Sequence, residues 1–156
     1  MARRVPSLVA ALAIVGAAGG HVAQAAPTSS ELALLRAMNE ARQAHGLGPL
    51  RIDRRLQRVA RAHSRTILRT GSFSHGAFST RIRAAGVRAP RVGENLAWAA
   101  GALAQARQVV NLWLNSPEHR ANLLRPGYRT VGVGARKGTL DGVAGAVVVT
   151  TDFAGR

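Results

Sequence analysis

Two histidines and one glutamate stand out among the side chains able to do chemistry. His75 lies in Gly71-Ser72-Phe73-Ser74-His75-Gly76, Glu94 in Gly93-Glu94-Asn95, and His119 in Ser116-Pro117-Glu118-His119. Two imidazoles and a carboxylate suit a divalent metal with an open coordination position, or general acid–base work with Glu94 as the candidate catalytic group. Glu94 is the only acid between residues 54 and 117. It could be a plain ion-pair partner among arginines, or it could orient an imidazole behind a metal. His75, in a Gly- and Ser-rich turn, could be a ligand or simply exposed. At His119 the local signals are better defined. Ser116 suits an N-cap, Pro117 the first helical position, and Glu118 the acid-favouring first turn. His119 then sits near free backbone N–H groups, which disfavour imidazolium and leave a lone pair for a metal or a proton, or for no more than a hydrogen bond that closes the corner.

Other chemistries are excluded or unsupported. There is no G-x-S-x-G elbow, no H-E-x-x-H and no Walker loop. Gly132 to Gly138 is one residue too long for a dinucleotide loop and precedes a strand pattern. Cysteine is absent, so there is no thiol nucleophile, thiolate ligand or disulfide.

The elements that must carry these residues follow from periodicity. Thr28-Ser29-Ser30-Glu31 is a capping box, and Leu32, Leu35, Met38 and Ala41 predict the inner stripe of a first helix ending at His45-Gly46. Asp53 caps a second helix to about Leu68, with Leu56, Val59, Ala60, His63 and Ile67 inward. His63 is thus a core histidine first and a neighbour of the site second. Arg54, Arg58, Arg61 and Arg65 fall on another face and predict a solvated basic stripe. Residues 71–86 read as loop, anchored by Phe73 and Phe78, with a short helix from Thr80 to Ala85. Arg88 to Val92 reads as loop. Gly101 to Asn115 predicts one helix, with Leu103, Ala106, Val109 or Val110, and Trp113 buried. Val131, Val133 and Ala135 alternate with Gly132, Gly134 and Arg136, a strand with one small, open face. Residues 137–142 hold a turn centred on Asp141-Gly142, and Val143 to Phe153 forms the last strand.

Composition sets the address. Arg3 and Arg4 precede an apolar stretch, Leu8 to Gly20, that is short for a bilayer span, and Ala23-Gln24-Ala25 fits a cleavage site. Residues 1–25 are therefore expected to be a secretory signal peptide and 26–156 a single domain, extracellular or periplasmic. With 22 Lys and Arg against 7 Asp and Glu, the net charge is +15. A basic secreted chain is drawn to anionic envelope surfaces, and nothing in it points to specific nucleic-acid recognition.

The order of these pieces resembles the CAP superfamily of cysteine-rich secretory, antigen 5 and pathogenesis-related proteins, in its bacterial branch. The similar segments are Asn39-x-x-Arg42 with Gly46-Leu47-Gly48-Pro49-Leu50, then Ser74-His75 with Arg81 ahead of Ala84-Ala85-Gly86. Gly93-Glu94-Asn95 follows, then Trp113 with Ser116-Pro117 and His119-Arg120-x-Asn122-Leu123-Leu124, and finally Val131-Gly132-Val133-Gly134 and Phe153. The resemblance implies an α+β fold, a three-layer α-β-α sandwich. It also implies a cleft lined by His75, Glu94, Ser116, Glu118 and His119. The two histidines would be ligands for zinc or another divalent metal, with Asn95 and His63 behind them. Two departures matter. Ser116 stands where eukaryotic members carry a second glutamate, and Glu118 where bacterial members often carry glycine. The expectation is a non-enzymatic binding domain for a metal and a small or lipid-like ligand. The alternatives are a metal-dependent hydrolase in the same cleft, or a basic envelope-associated polyanion-binding protein.

Overall fold

The computed structural model describes residues 25–156; the expected signal segment lies outside the described residues except for Ala25. In chain order the elements are α1 (Ser29–Ala44), β1 (Arg51–Ile52), α2 (Arg54–Thr70), α3 (Phe78–Ala84) and β2 (Arg91–Ala99). A 3-10 turn (Gly101–Ala104), α4 (Ala106–Leu114), α5 (Pro117–Leu123), β3 (Tyr128–Leu140) and β4 (Val143–Gly155) complete the chain. The sheet order is β1-β3-β4-β2, with β1 parallel to β3 and the other pairs antiparallel. Strand periodicity divides its side chains between two helical layers. Val131, Val133, Val149 and Phe153 face α1, α4 and α5, where they join Leu34, Met38, Val110, Trp113 and Leu123. On the opposite face Val148 packs with Ile67 and Leu96, and Ala154 with Leu56, Val59 and Ile82. The fold is thus the expected α+β sandwich.

The glycines of β3 explain how closely the second layer packs. A Cβ on Gly132 would collide with the Leu56 carbonyl and Gln57 N, and one on Gly134 would lie 2.6 Å from Arg61 N. The expected open face is therefore filled by the backbone of α2. Gln57 seals this junction from α2, accepting from Val133 N (2.8 Å) and donating to Val133 O (2.6 Å).

Several local expectations shift. The inner stripe of α1 is Leu34, Ala37 and Met38, whereas Leu32 is exposed. Arg61 leaves the solvated stripe. It is buried, donating to both Glu31 oxygens at 2.9 and 2.6 Å, because Glu31 of the capping box lies beneath it and also receives Arg136 at 3.0 Å. Arg54, Arg58 and Arg65 remain exposed. The short helix α3 starts at Phe78 rather than Thr80, and Phe73 is exposed. β2 begins at Arg91, inside the expected loop, because its first residues pair with Ala154 and Gly155. The expected helix 101–115 is broken: Gln105 is extended between the 3-10 turn and α4, and Leu103 is exposed. The β3–β4 turn contracts to Asp141-Gly142, both at positive φ, so residues 137–140 stay in the ladder.

Candidate functional site

β2 is an edge strand, and the site is built around it. Glu94 is buried on the α2 and α3 side, and its two oxygens are divided between two partners. Oε1 accepts from His75 Nδ1 at 2.7 Å, and Oε2 from Arg81 Nη2 at 2.6 Å. Arg81, on α3, also donates Nη1 to the His75 carbonyl at 2.7 Å, so one guanidinium holds both the loop and the acid. His63 of α2 bonds the adjacent Ser74 carbonyl at 2.9 Å. Burial lowers its pKa, with Arg81 and His75 adding to the shift against Glu94 and the Ser74 carbonyl. The exposed His75 ring is therefore placed by three elements that converge on a loop with no regular structure of its own.

His119 approaches from the other side of β2. Asn95 faces the opposite layer from Glu94 and donates to the His119 carbonyl at 2.9 Å. Asn122 donates to Glu94 O (3.2 Å) and Asn95 Oδ1 (3.1 Å), covering the strand edge with α5. Gly93 makes this possible, since a Cβ there would meet Asn122 Oδ1 at 2.8 Å. Ser116 occupies the N-cap position but makes no side-chain cap bond. Its Oγ instead meets His119 Nδ1 at 2.8 Å. The His119 pKa is lowered as the helix-end argument anticipates, but the leading cause is burial. The nearby charge of His75 adds to it, against exposed Glu118.

The donor set can be tested for a metal. Each imidazole uses Nδ1 on a protein oxygen, Glu94 for His75 and Ser116 for His119. Nε2 of each has no hydrogen-bond partner among the described residues. With Nδ1 protonated, both rings offer a lone pair at Nε2, the arrangement of an imidazole ligand oriented by a carboxylate or hydroxyl. No group of three His, Asp, Glu or Cys able to hold a metal is found among the described residues. His75 and His119 are the two candidate imidazole donors at this strand edge.

One participant was not singled out from the sequence. Asp152 of β4 lies directly opposite Glu94 in the ladder and is wholly buried; its oxygens accept from no donor among the described residues, and when protonated its carboxyl donates to Glu94. Burial pushes its carboxyl well above the usual carboxylate range, and the neighbouring Glu94 pushes it further. The available signal was an acid inside the last strand pattern, between Val147-Val148-Val149-Thr150-Thr151 and Phe153. In the native state Asp152 keeps its proton at pH values where the unfolded chain has lost it. Stability is therefore expected to fall as pH rises from the ordinary carboxylate range through the raised native pKa. Asp152→Asn should remove that fall, gaining about 1–3 kcal/mol over wild type at alkaline pH and little under acid. Thermal melts across pH check this, and parallel curves for the two proteins would exclude it.

A model of the cysteine-rich secretory protein family, CAP, matches residues 35–153. The uncharacterised Bacillus subtilis protein YkwD is 35% identical over 101 residues, covering 62% of this chain and 38% of its own. Human Golgi-associated plant pathogenesis-related protein 1 is 33% identical over 101 residues, covering 65% of this chain and 58% of its own. The chain thus spans less than two thirds of these relatives. Among solved structures, an extracellular SCP-domain protein of Bacillus anthracis superposes with a TM-score of 0.67 at 27% identity, over 81% of this chain and 40% of that one. An outer surface protein of Borrelia burgdorferi gives a TM-score of 0.67 at 27% identity, over 79% and 90%.

Proposed function

The chain belongs to the cysteine-rich secretory protein (CAP) family, and from that premise we propose that it is a secreted, non-enzymatic binding protein. In this reading His75 and His119 take one divalent ion, zinc foremost, beside a small or lipid-like ligand. The observation that carries the reading is the matched use of the two rings. Each is anchored through Nδ1, at 2.7 Å to Glu94 and 2.8 Å to Ser116, so each would present Nε2. A bound zinc ion would supply Lewis acidity and open coordination positions at this edge. Glu94 would hold the His75 ring and favour its bound form by charge, and Arg81 would hold Glu94. The address rests on the Arg3-Arg4 and Ala23-Gln24-Ala25 pattern. It is supported by the likeness to a protein described as extracellular and another described as an outer surface protein.

Binding is favoured over hydrolysis by the state of Glu94. Both of its oxygens are engaged by cationic or N–H partners, which leaves it poorly placed to take a proton from water. Ser116 orients His119 where a second acid would be needed, so the departure at this position has a structural use.

Two measurements test the reading. Zinc affinity should weaken as pH falls through the imidazole range, because protons compete for the same lone pairs. Glu94→Gln keeps the shape but removes the charge behind His75, and should weaken zinc binding by about 10-fold or more. Calorimetric titration at several pH values reads both. Unchanged affinity in Glu94→Gln would remove the carboxylate from the account.

A further inference from the structure

A separate concavity has a lining that includes neither His75, Glu94 nor His119. It has a volume of about 630 Å³ and lies where the N-terminus of α2, the segment after α3 and the ends of β3 and β4 meet. Leu56, Val87 and Ala154 give it an apolar floor, and Arg55, Arg88 and Arg129 line it. None of these three guanidinium groups is ion-paired with a carboxylate among the described residues. Arg55 is held by one bond, Nη1 to Gly86 O at 2.8 Å. Arg129 is held through Nη1 on the Pro126 and Tyr128 carbonyls. Each keeps its other N–H groups available, and Arg88 is exposed. The one acidic side chain in the lining, Asp53, is turned to another task, since its carboxylate caps α2 by accepting from Arg55 N and Leu56 N at 2.8 and 3.0 Å.

We infer that this concavity binds a phosphate-bearing molecule, its phosphate held by Arg55, Arg88 and Arg129 and its apolar body resting on Leu56, Val87 and Ala154. Guanidinium matches phosphate oxygens with paired N–H donors, and two of the three arginines are already braced by backbone carbonyls, which lowers the ordering cost. The site differs from the α2 stripe, where Arg61 is committed to Glu31. It does not depend on the histidine site or on metal.

The test uses the domain of residues 26–156 and inorganic pyrophosphate as the probe, by calorimetry at fixed ionic strength. Saturable binding is expected, weakened at least about 10-fold in Arg88→Gln and in Arg129→Gln. Arg88→Lys should fall between, since it keeps the charge and loses the paired donors. Arg65→Gln, exposed on α2, should bind like wild type. Competition between pyrophosphate and phosphatidylglycerol vesicles, absent with phosphatidylcholine vesicles, would assign the phosphate to a lipid headgroup. Pyrophosphate binding without such competition would assign it to a soluble ester. Absence of saturable binding, or equal weakening by Arg65→Gln, would overturn the proposal. Arg88 makes no hydrogen bond that holds the fold, so its variants keep the test valid if Arg129→Gln destabilises the domain.

Discussion

Gly132→Ala is expected to be among the most damaging single substitutions in the domain. The added methyl would be driven into the Leu56 carbonyl and Gln57 N, which are helix backbone and have no rotamer to change. α2 could yield only by lifting from the sheet, and that would loosen the Gln57 bonds to Val133 and the contact between Ser64 and Thr150 (2.9 Å). Overpacking typically costs about 1–3 kcal/mol, and a clash with rigid helix backbone puts this one at the upper end, about 3 kcal/mol. A fall in Tm of about 10 °C or more should follow. Gly48→Ala is the control, because a Cβ there meets nothing within 4 Å. If both variants melt with wild type, the direct packing of α2 on β3 is wrong.

Trp113→Ala should cost about 3–5 kcal/mol, the usual loss for truncating a buried tryptophan. Trp113 is 1% exposed at the centre of the layer formed by α1, α4 and α5, and its Nε1 donates to Leu96 O at 3.0 Å. That bond joins α4 to β2, the strand that carries Glu94 and Asn95. Trp113→Phe separates the two contributions: it retains most of the apolar contact but leaves a buried carbonyl without its donor, for about 1–3 kcal/mol. Chemical denaturation reads both, and a Trp113→Ala midpoint equal to wild type would refute the placement.

The positions legible in the sequence were those set by local rules. Thr28 and Glu31 form the capping box, Asp53 caps α2, and Asp141-Gly142 turns the hairpin. His75, Glu94 and His119 could be nominated by type, and the family resemblance joined them. What brings them together is non-local. Arg81 reaches across from α3, and Asn95 and Asn122 tie α5 to the strand edge. Partnership also overrode periodicity. Arg61 matched a solvated stripe by spacing, yet the buried carboxylate of Glu31 draws it inward. Gly132 and Gly134 announced a small face but not which element would fill it. Ser116 was read for its backbone position, and its hydroxyl is used by His119 instead.

The central claim is that His75 and His119, from opposite sides of one edge strand, hold a single divalent ion. Calorimetric titration of zinc into residues 26–156, beside His75→Ala and His119→Ala, tests it most directly. One ion per chain is predicted for wild type, with affinity modest beside a closed four-ligand zinc site. Each single variant should lose about 10-fold or more of that affinity while melting near wild type. If either histidine variant binds zinc as tightly as wild type, the two-histidine site is contradicted.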